Sequence, residues 1–220
     1  FEVTASHGGQ TIALDRYGEF VRREIPLPEG ATAGQSMTGV VLGEDGTVRH
    51  APTTIETRDG KTYAVIHSLV DSTYALVSYS KAFEDMNGHW ASEAVANLAS
   101  RLIVAGADAN RFRPDATVSR AEFAAIVVRA LGLSDRGDAP ATFRDVEGSA
   151  WYSGAVAQAA ELGLLQGYED GSFRPTDALT REGAVAILAR VMELAGLDVA
   201  ASDDGVQAAL GSFRDGSRVG

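Results

Sequence analysis

The sequence of 220 residues contains no cysteine. This absence excludes a disulfide scaffold, a thiolate metal site and a cysteine nucleophile, and it is compatible with export. Basic residues are few, because 19 Lys and Arg stand against 30 Asp and Glu and leave a net charge of -11. Such a field disfavours nucleic acid and anionic lipid as partners. No apolar run approaches the ~18 residues that a membrane-spanning helix needs, so we expect no membrane insertion.

Motifs of catalysis and metal binding are also missing. The histidines are scattered outside any metal-ligand spacing, and there is no Gly-x-Ser-x-Gly elbow and no phosphate-binding loop. Asp108-Ala109-Asn110 begins like a calcium loop, but Phe112 takes the place of a ligand and Arg113 that of the required glycine. The sequence therefore predicts a non-enzymatic chain with no cofactor and no metal. Because it begins at Phe1 without a signal peptide, we expect a fragment or a processed chain, with any catalytic domain upstream.

Residues 1–82 have the pattern of a β-rich segment. Runs of Val, Ile, Thr and Tyr alternate with turn signals. Asp45-Gly46 and Asp59-Gly60 each lie between two such runs, and Asp-Gly at this place predicts a β-hairpin. The run 72–79 is typical of a closing strand. We expect an antiparallel β-sandwich-like module or a small barrel, of about six strands.

From Phe83 onward the sequence becomes rich in alanine and its apolar spacing becomes helical. The spacing predicts helices over 90–102, 119–131, 151–162 and 180–194. Ser119 is a good N-cap, and Glu122 three residues later completes a capping box. The second copy keeps the cap at Thr180 but has Gly183 in the place of the glutamate, which predicts a less firmly fixed helix start.

An internal repeat carries most of the information. At a shift of 61 residues, 14 of the 42 positions in 90–131 are identical to those in 151–192. Phe83-Glu84-Asp85 precedes the first copy, Phe143-Arg144-Asp145 precedes the second, and Phe213-Arg214-Asp215 begins a third. This pattern indicates a tandem array.

We therefore predict an α+β multidomain chain, in which the β-sandwich-like module is followed by tandem all-α helix-loop-helix repeats. The predicted divisions are a β-rich spacer or Ig-like module (1–82), a first repeat (83–133), a linker (134–142), a second repeat (143–196), and a linker helix with the truncated start of a third repeat (197–220).

The repeated motifs resemble those of the S-layer homology family. The first repeat has Phe83-Glu84-Asp85, Trp90-Ala91, Gly106, Phe112-Arg113-Pro114 and Ser119-Arg120-Ala121-Glu122. The second continues from Gly167-Tyr168-Glu169-Asp170-Gly171 through Phe173-Arg174-Pro175 to Thr180-Arg181-Glu182-Gly183. The first copy departs from the family pattern at Ala107-Asp108-Ala109-Asn110, where the Tyr-x-Asp-Gly form is absent.

The resemblance implies a non-catalytic anchoring module of a bacterial surface protein, located extracellularly in the cell wall or S-layer. Such modules typically bind a secondary cell-wall polymer with pyruvylated sugars, in grooves between neighbours arranged about a pseudo-threefold axis. The expected partner is thus an anionic cell-wall polysaccharide. The incomplete third repeat would leave apolar helix faces uncovered, which predicts self-association or disorder of 197–220.

An arginine presents a planar fork of donors that matches a carboxylate, and a helix N-terminus adds free N–H groups. Tryptophan can stack on a sugar face, and glycine lets a ring approach the backbone. The predicted ligand-binding residues are Arg120, Arg181, Trp90, Trp151, Gly106 and Gly167. The alternative for the tryptophans is a place in the core. For Arg113 and Arg174 we favour structural ion pairs with Asp85 and Asp145.

Two alternative functions remain open at this level. In the first, the chain is a structural surface-layer subunit whose β-rich segment makes lattice contacts. In the second, it is a carbohydrate-binding β-module appended to an upstream enzyme. The second alternative requires exposed aromatic side chains, and Tyr63, Tyr74 and Tyr79 are the candidates. Their spacing within strands also fits core packing, which we favour.

Overall fold

The computed structural model shows a β-rich part followed by a helical part. It describes residues 5–7, 10–12, 17, 19–28, 37–43, 46–134 and 143–197. Within these residues the chain is of the mixed α+β class, as predicted. None of the described helices is long and apolar enough to cross a membrane.

The β-rich part consists of antiparallel strands throughout its described residues. A short hairpin pairs β1 (Ala5–His7) with β2 (Gln10–Ile12). One three-stranded sheet has the order β3 (Val21–Pro26), β7 (Lys61–Ser68) and β6 (Thr53–Arg58). The other has the order β5 (Val48–Ala51), β4 (Met37–Leu42) and β8 (Thr73–Ser78). The predicted closing strand is therefore confirmed as β8, whereas the sandwich arrangement stays a prediction.

The hairpin signal at Asp59-Gly60 is confirmed. The two residues join β6 to β7 with φ angles of 51° and 73°. Both lie in the left-handed region that a two-residue type I′ turn requires and that Asp-Gly tolerates. The strands around Gly46 also pair, as β4 with β5, but Asp45 lies outside the described residues.

Apolar residues of both three-stranded sheets share one small core. Val41 of β4, Ala51 of β5 and Ile66 of β7 are buried together. The sheets approach closely at Gly39, where a Cβ atom would lie 2.6 Å from the Thr53 hydroxyl and 2.9 Å from a methyl of Ile66. Any larger residue at position 39 would push β4 away from β6 and β7.

The helical part contains four helices in the described residues. They are α1 (Ser92–Ser100), α2 (Arg120–Ala130), α3 (Ser153–Glu161) and α4 (Arg181–Leu194). All four predicted helices are thus present, and α1 and α3 begin two residues after Trp90 and Trp151. The predicted capping box is confirmed, because Ser119 accepts from the N–H of Glu122 and the Glu122 carboxylate accepts from the N–H of Ser119.

The largest core among the described residues lies between the two repeats. It combines Ala124, Val127 and Val128 of α2 with Val156 of α3 and Phe173 of the following loop. The β-rich part joins this core through Leu69. A second contact is close to α2, where a Cβ atom on Gly132 would lie 2.8 Å from the ring of Pro52. The β-rich part and the first repeat are therefore packed directly against each other.

The predicted domain boundaries stay predictions. Both predicted linkers, 134–142 and 197–220, lie outside the described residues apart from Ser134 and Leu197. The start of the third repeat at Phe213-Arg214-Asp215 lies outside them as well.

Candidate functional site: the junction between the two repeats

The aspartate of each Phe-x-Asp turn holds the loop that precedes the second helix of its repeat. The Asp85 carboxylate accepts the N–H of Phe112 at 2.9 Å and the N–H of Arg113 at 2.7 Å. Asp145 accepts the equivalent pair in the second repeat, both at 2.7 Å. Each arginine therefore contacts the predicted aspartate through its backbone N–H, whereas the guanidinium of Arg174 pairs with Asp170 instead of Asp145.

This arrangement imposes an uncommon backbone conformation on the arginine. Arg113 has φ 63° and Arg174 has φ 57°, both in the left-handed region that non-glycine residues seldom adopt. The N–H groups of Phe112 and then Arg113 hold the pKa of Asp85 below its usual value, against a desolvation that raises it. Desolvation would also raise the pKa of Asp145, but two backbone N–H groups outweigh it and the pKa lies below its usual value. Both carboxylates therefore stay ionised and keep their loops in place.

Close packing explains why Gly106 and Gly167 are glycines. A Cβ atom on Gly106 would lie 2.4 Å from the ring of Phe83, and one on Gly167 would lie 2.3 Å from the ring of Phe143. Both separations are far below van der Waals contact. The glycines thus let the Phe-x-Asp ring pack against the loop, whether or not a ligand approaches them.

Arg120 joins the first repeat to the second. It is the first residue of α2, and its Nε donates to the carbonyl of Phe173 while one Nη donates to the carbonyl of Gln166, each at 2.9 Å. Its guanidinium carbon lies 4.7 Å from the ring centre of Phe173. The predicted ligand residue therefore lies at a junction, between the N-terminus of α2 and the loop that contains Gly167.

Tyr168 lies between two guanidinium groups at this junction. The Arg120 guanidinium carbon is 5.0 Å from the centre of the tyrosine ring, and that of Arg174 is 3.9 Å from it. The ring stays exposed even so. An exposed aromatic ring flanked by two cations is a surface on which a flat anionic group can stack and be paired.

Asp170 orders the cationic side of the junction. It accepts from the hydroxyl and the N–H of Ser172, and it pairs with Arg144 at 2.8 Å and with Arg174 at 3.6 Å. The Ser172 hydrogen bonds, helped by the two arginines, lower the pKa of Asp170 from 3.8 to about 2. Asp170 thus pairs with two arginines, and Arg120 lies on the other side of the junction against the ring of Tyr168.

Both tryptophans are outside the core. Trp90 is 91% exposed and Trp151 is 59% exposed. Their ring contacts are with the preceding or following residue, His89 at 5.5 Å and Tyr152 at 5.4 Å. The core alternative for these residues therefore fails, whereas their proposed stacking on sugar stays a prediction.

Neither Arg181 nor Gly106 has a contact with Arg120, Tyr168 or Arg174 in the described part of the chain. Arg181 is the first residue of α4 and is exposed. Gly106 belongs to the loop of the first repeat, where Ala107 takes the place of Tyr168. Of the predicted site residues, the structure brings Arg120 and Gly167 together.

Tyr168 and Arg174 were not among the predicted ligand-binding residues. Tyr168 stands in the Gly-Tyr-x-Asp-Gly run that the first repeat lacks, and this difference between the copies was the available signal. Arg174 was assigned to a structural ion pair with Asp145. Its pairing with Asp170 and Tyr168 depends on the left-handed backbone, which residue spacing does not reveal.

The β-rich part offers one exposed tyrosine among the three candidates. Tyr79 is exposed, whereas the hydroxyl of Tyr74 lies 2.6 Å from both the Ser68 hydroxyl and the carbonyl of Val70, and Arg58 lies 4.9 Å above the ring of Tyr63. Within the described ranges, no three His, Asp or Glu side chains are grouped as metal ligands.

Comparison with known proteins agrees with the motifs. The chain is 39% identical over 124 residues to an amylopullulanase of Thermoanaerobacterium thermosulfurigenes, which covers 56% of this chain and 6% of that protein. It is 37% identical over 131 residues to the surface-layer 125 kDa protein of Lysinibacillus sphaericus, with 59% and 11% covered. It is 30% identical over 128 residues to a cellulosome-anchoring protein of Acetivibrio thermocellus, with 56% and 28% covered. The chain thus spans a small part of each of these longer proteins.

The family model of the S-layer homology domain matches the chain twice, at residues 82–124 and 142–182. The two matches contain the Phe-x-Asp turns, the Phe-Arg-Pro loops and the starts of α2 and α4. These two segments are therefore tandem modules of the S-layer homology domain family.

Proposed function

We propose that the two modules bind an anionic, pyruvylated secondary cell-wall polysaccharide at the junction between them. The coarser role comes from the family, since S-layer homology modules are non-catalytic and anchor proteins to the cell wall. The protein is accordingly a bacterial surface protein of the cell wall or S-layer.

The observation that carries the proposal is the set of donors around Tyr168. Arg120 has five N–H donors, of which two bind the carbonyls of Phe173 and Gln166. The remaining donors and those of Arg174 border the exposed ring. A pyruvyl ketal presents a carboxylate beside a sugar ring, so it matches both the guanidinium forks and the aromatic face.

The charge distribution supports an anionic ligand bound through a local site. The net charge of -11 repels a polyanion at long range. At the junction, Arg120 and Arg174 flank Tyr168 and Arg144 pairs with Asp170, so cations are concentrated there. Added salt weakens such exposed charge pairs, since the Debye length is only about 10 Å at 0.1 M. Binding that depends on this cluster therefore weakens as salt is raised.

The first repeat supplies the matched control. Arg113 has the same loop position and nearly the same φ as Arg174, but Ala107 replaces the tyrosine beside it. Substitution of either arginine by glutamine removes a guanidinium at a position of left-handed backbone, so the two variants carry the same backbone cost. We expect Arg174→Gln to weaken cosedimentation with purified cell-wall sacculi about tenfold, which is the effect of losing one charged contact of about 1.4 kcal/mol. Arg113→Gln should leave cosedimentation unchanged.

Sacculi from which acid has extracted the secondary polymer serve as the second arm of this experiment. Binding of the unaltered chain should disappear on extraction and should fall with added salt. Equal weakening by Arg174→Gln and Arg113→Gln would contradict the junction as the site. Retained binding to extracted sacculi would contradict the polymer as the ligand.

A further inference from the structure

The two modules meet through a helix pair that crosses the module boundary. Helix α2 of the first repeat packs against α3 of the second, and it buries Ala124, Val127 and Leu131 in the shared core. On the side of α3, the same core buries Ala155 and Ala159. The second helix of one module is thus covered by the first helix of the next.

Polar contacts at the start of α2 complete this interface. The N–H of Arg120 donates to the carbonyl of Asp177, and the N–H of Ala121 donates to that of Pro175, both at 3.0 Å. Leu179 donates in the opposite direction, to the carbonyl of Val118 at 2.9 Å. The backbone of the second repeat therefore satisfies two N–H groups that a helix N-terminus leaves unpaired.

Among the described residues, nothing covers the same face of helix α4. The residues equivalent to Ala124, Val127 and Leu131 at the shift of 61 are Val185, Leu188 and Met192. They are 65%, 48% and 42% exposed. Within residues 143–197, Arg181 and Glu182 have no backbone acceptor of the kind that Arg120 and Ala121 find. Three apolar side chains and two helix-end donors of one helix thus have no partner in the part of the chain that the structure describes.

Helix α1 presents the complementary face, also without a cover. Ala94 and Leu98 are the equivalents of Ala155 and Ala159, and both are exposed. Val104 and Phe112 are only half-buried, whereas their equivalents Leu165 and Phe173 are fully buried in the core to which α2 contributes. In the described residues, no helix packs on α1 as α2 packs on α3.

We propose that two copies of this chain associate head to tail, with α4 of one copy packed on α1 of the next. The contact repeats the α2–α3 interface that each copy already forms once within itself. Val185 and Leu98 are larger than Ala124 and Ala159, so the two helices lie further apart than α2 and α3 and bury more apolar area. Because the two faces differ, the contact is heterologous and continues into a ring or a chain of copies.

Because the chain contains no cysteine, single introduced cysteines can test the direction of this contact by disulfide cross-linking. One preparation has Leu188→Cys, at the position equivalent to Val127 of α2. The other has Leu98→Cys, at the position equivalent to Ala159 of α3. Mild oxidation of the mixture should give a disulfide dimer in high yield, whereas each variant alone should stay largely uncross-linked. A dimer from Leu188→Cys alone, with none gained on mixing, would indicate a symmetric α4–α4 contact and would overturn the head-to-tail arrangement.

Sedimentation velocity from micromolar to millimolar concentration tests association without a cross-link. Species larger than the monomer should grow with concentration, and Leu188→Glu or Leu98→Glu should each reduce the association constant at least tenfold. Val48→Glu is the matched control, since Val48 is an equally exposed apolar residue of the β-rich part. A monomer at every concentration would overturn the proposal. If α4 amides were then protected from hydrogen exchange, the cover would be assigned to residues 198–220.

Discussion

Arg120 and Arg181 occupy the same position of the repeated motif but have different environments. Each is the first residue of its helix, after a Ser or Thr that caps it. Arg120 donates to two carbonyls of the second repeat, whereas Arg181 lies exposed on α4. A charged donor that binds carbonyls across a partly buried junction contributes to folding, and an exposed one without such partners contributes little. The arginine of the motif therefore has a structural role at a junction and a different one at an open helix end.

This difference gives a prediction at the residue scale. Arg120→Ala removes two charge-assisted hydrogen bonds across the junction and should lower the free energy of unfolding by about 1–3 kcal/mol. Arg181→Ala, the matched control, should change it by less than about 0.5 kcal/mol. Urea unfolding of the two variants measures both values. Equal losses would show that the Arg120 contacts do not hold the modules together.

Helices α2 and α4 differ in how their N-termini are capped. Helix α2 has a complete capping box, in which Ser119 and Glu122 each accept the other's N–H. Helix α4 has the single bond from the Gly183 N–H to Thr180, at 3.1 Å. A glycine in the first turn also lowers intrinsic helix stability by about 1 kcal/mol relative to alanine. The start of α4 is therefore the weaker of the two.

Two substitutions of Gly183 separate the effect of the incomplete capping box from the effect of the low helix propensity of glycine. Gly183→Ala should raise the free energy of unfolding by up to about 1 kcal/mol through helix propensity alone. Gly183→Glu should add several tenths more through a restored capping box and the helix dipole. A Cβ atom there would lie 3.1 Å from a methyl of Leu179, the far end of a flexible side chain, which has to move slightly. Thermal unfolding ranks the three proteins, and destabilisation by alanine would show that Leu179 does not yield.

At the scale of the whole molecule, the β-rich part and the first repeat are joined by groups buried between them. His50 is buried, its Nδ1 lies 3.2 Å from the Thr38 hydroxyl, and Arg101 donates from the first repeat to the carbonyl of Thr53. Burial, with a contribution from the charge of Arg101, lowers the pKa of His50 from 6.5 to about 4. The imidazole is therefore neutral in the folded protein at neutral pH.

This shift predicts a dependence of stability on pH. Between about pH 6.5 and about pH 4 the unfolded chain binds a proton at His50 that the folded chain does not. Stability is therefore complete above the unfolded pKa and falls as the pH is lowered, by a total on the order of 3 kcal/mol. Urea unfolding across this range should show the fall in the unaltered protein and a smaller one in His50→Gln. Parallel pH profiles would contradict the assignment to His50.

The sequence by itself determined the elements and the family. Asp59-Gly60 predicted a hairpin because only a left-handed turn fits between two strands there, and the Ser119–Glu122 pair predicted the start of α2 because both partners of the capping box are local. The two tandem modules were visible in the repeated Phe-x-Asp, Phe-Arg-Pro and arginine motifs. Signals of this kind depend on residues close together in the chain, so they can be interpreted without a fold.

Only the tertiary structure decided how those motifs are used. It placed α2 on α3 of the next repeat, and so it gave Arg120 carbonyl partners from residues about fifty positions away. It placed both tryptophans in solvent and put Tyr168 between two arginines. The physical reason is that burial, ring stacking and hydrogen-bond partners at this junction all come from residues distant in sequence, whose meeting depends on how the modules pack.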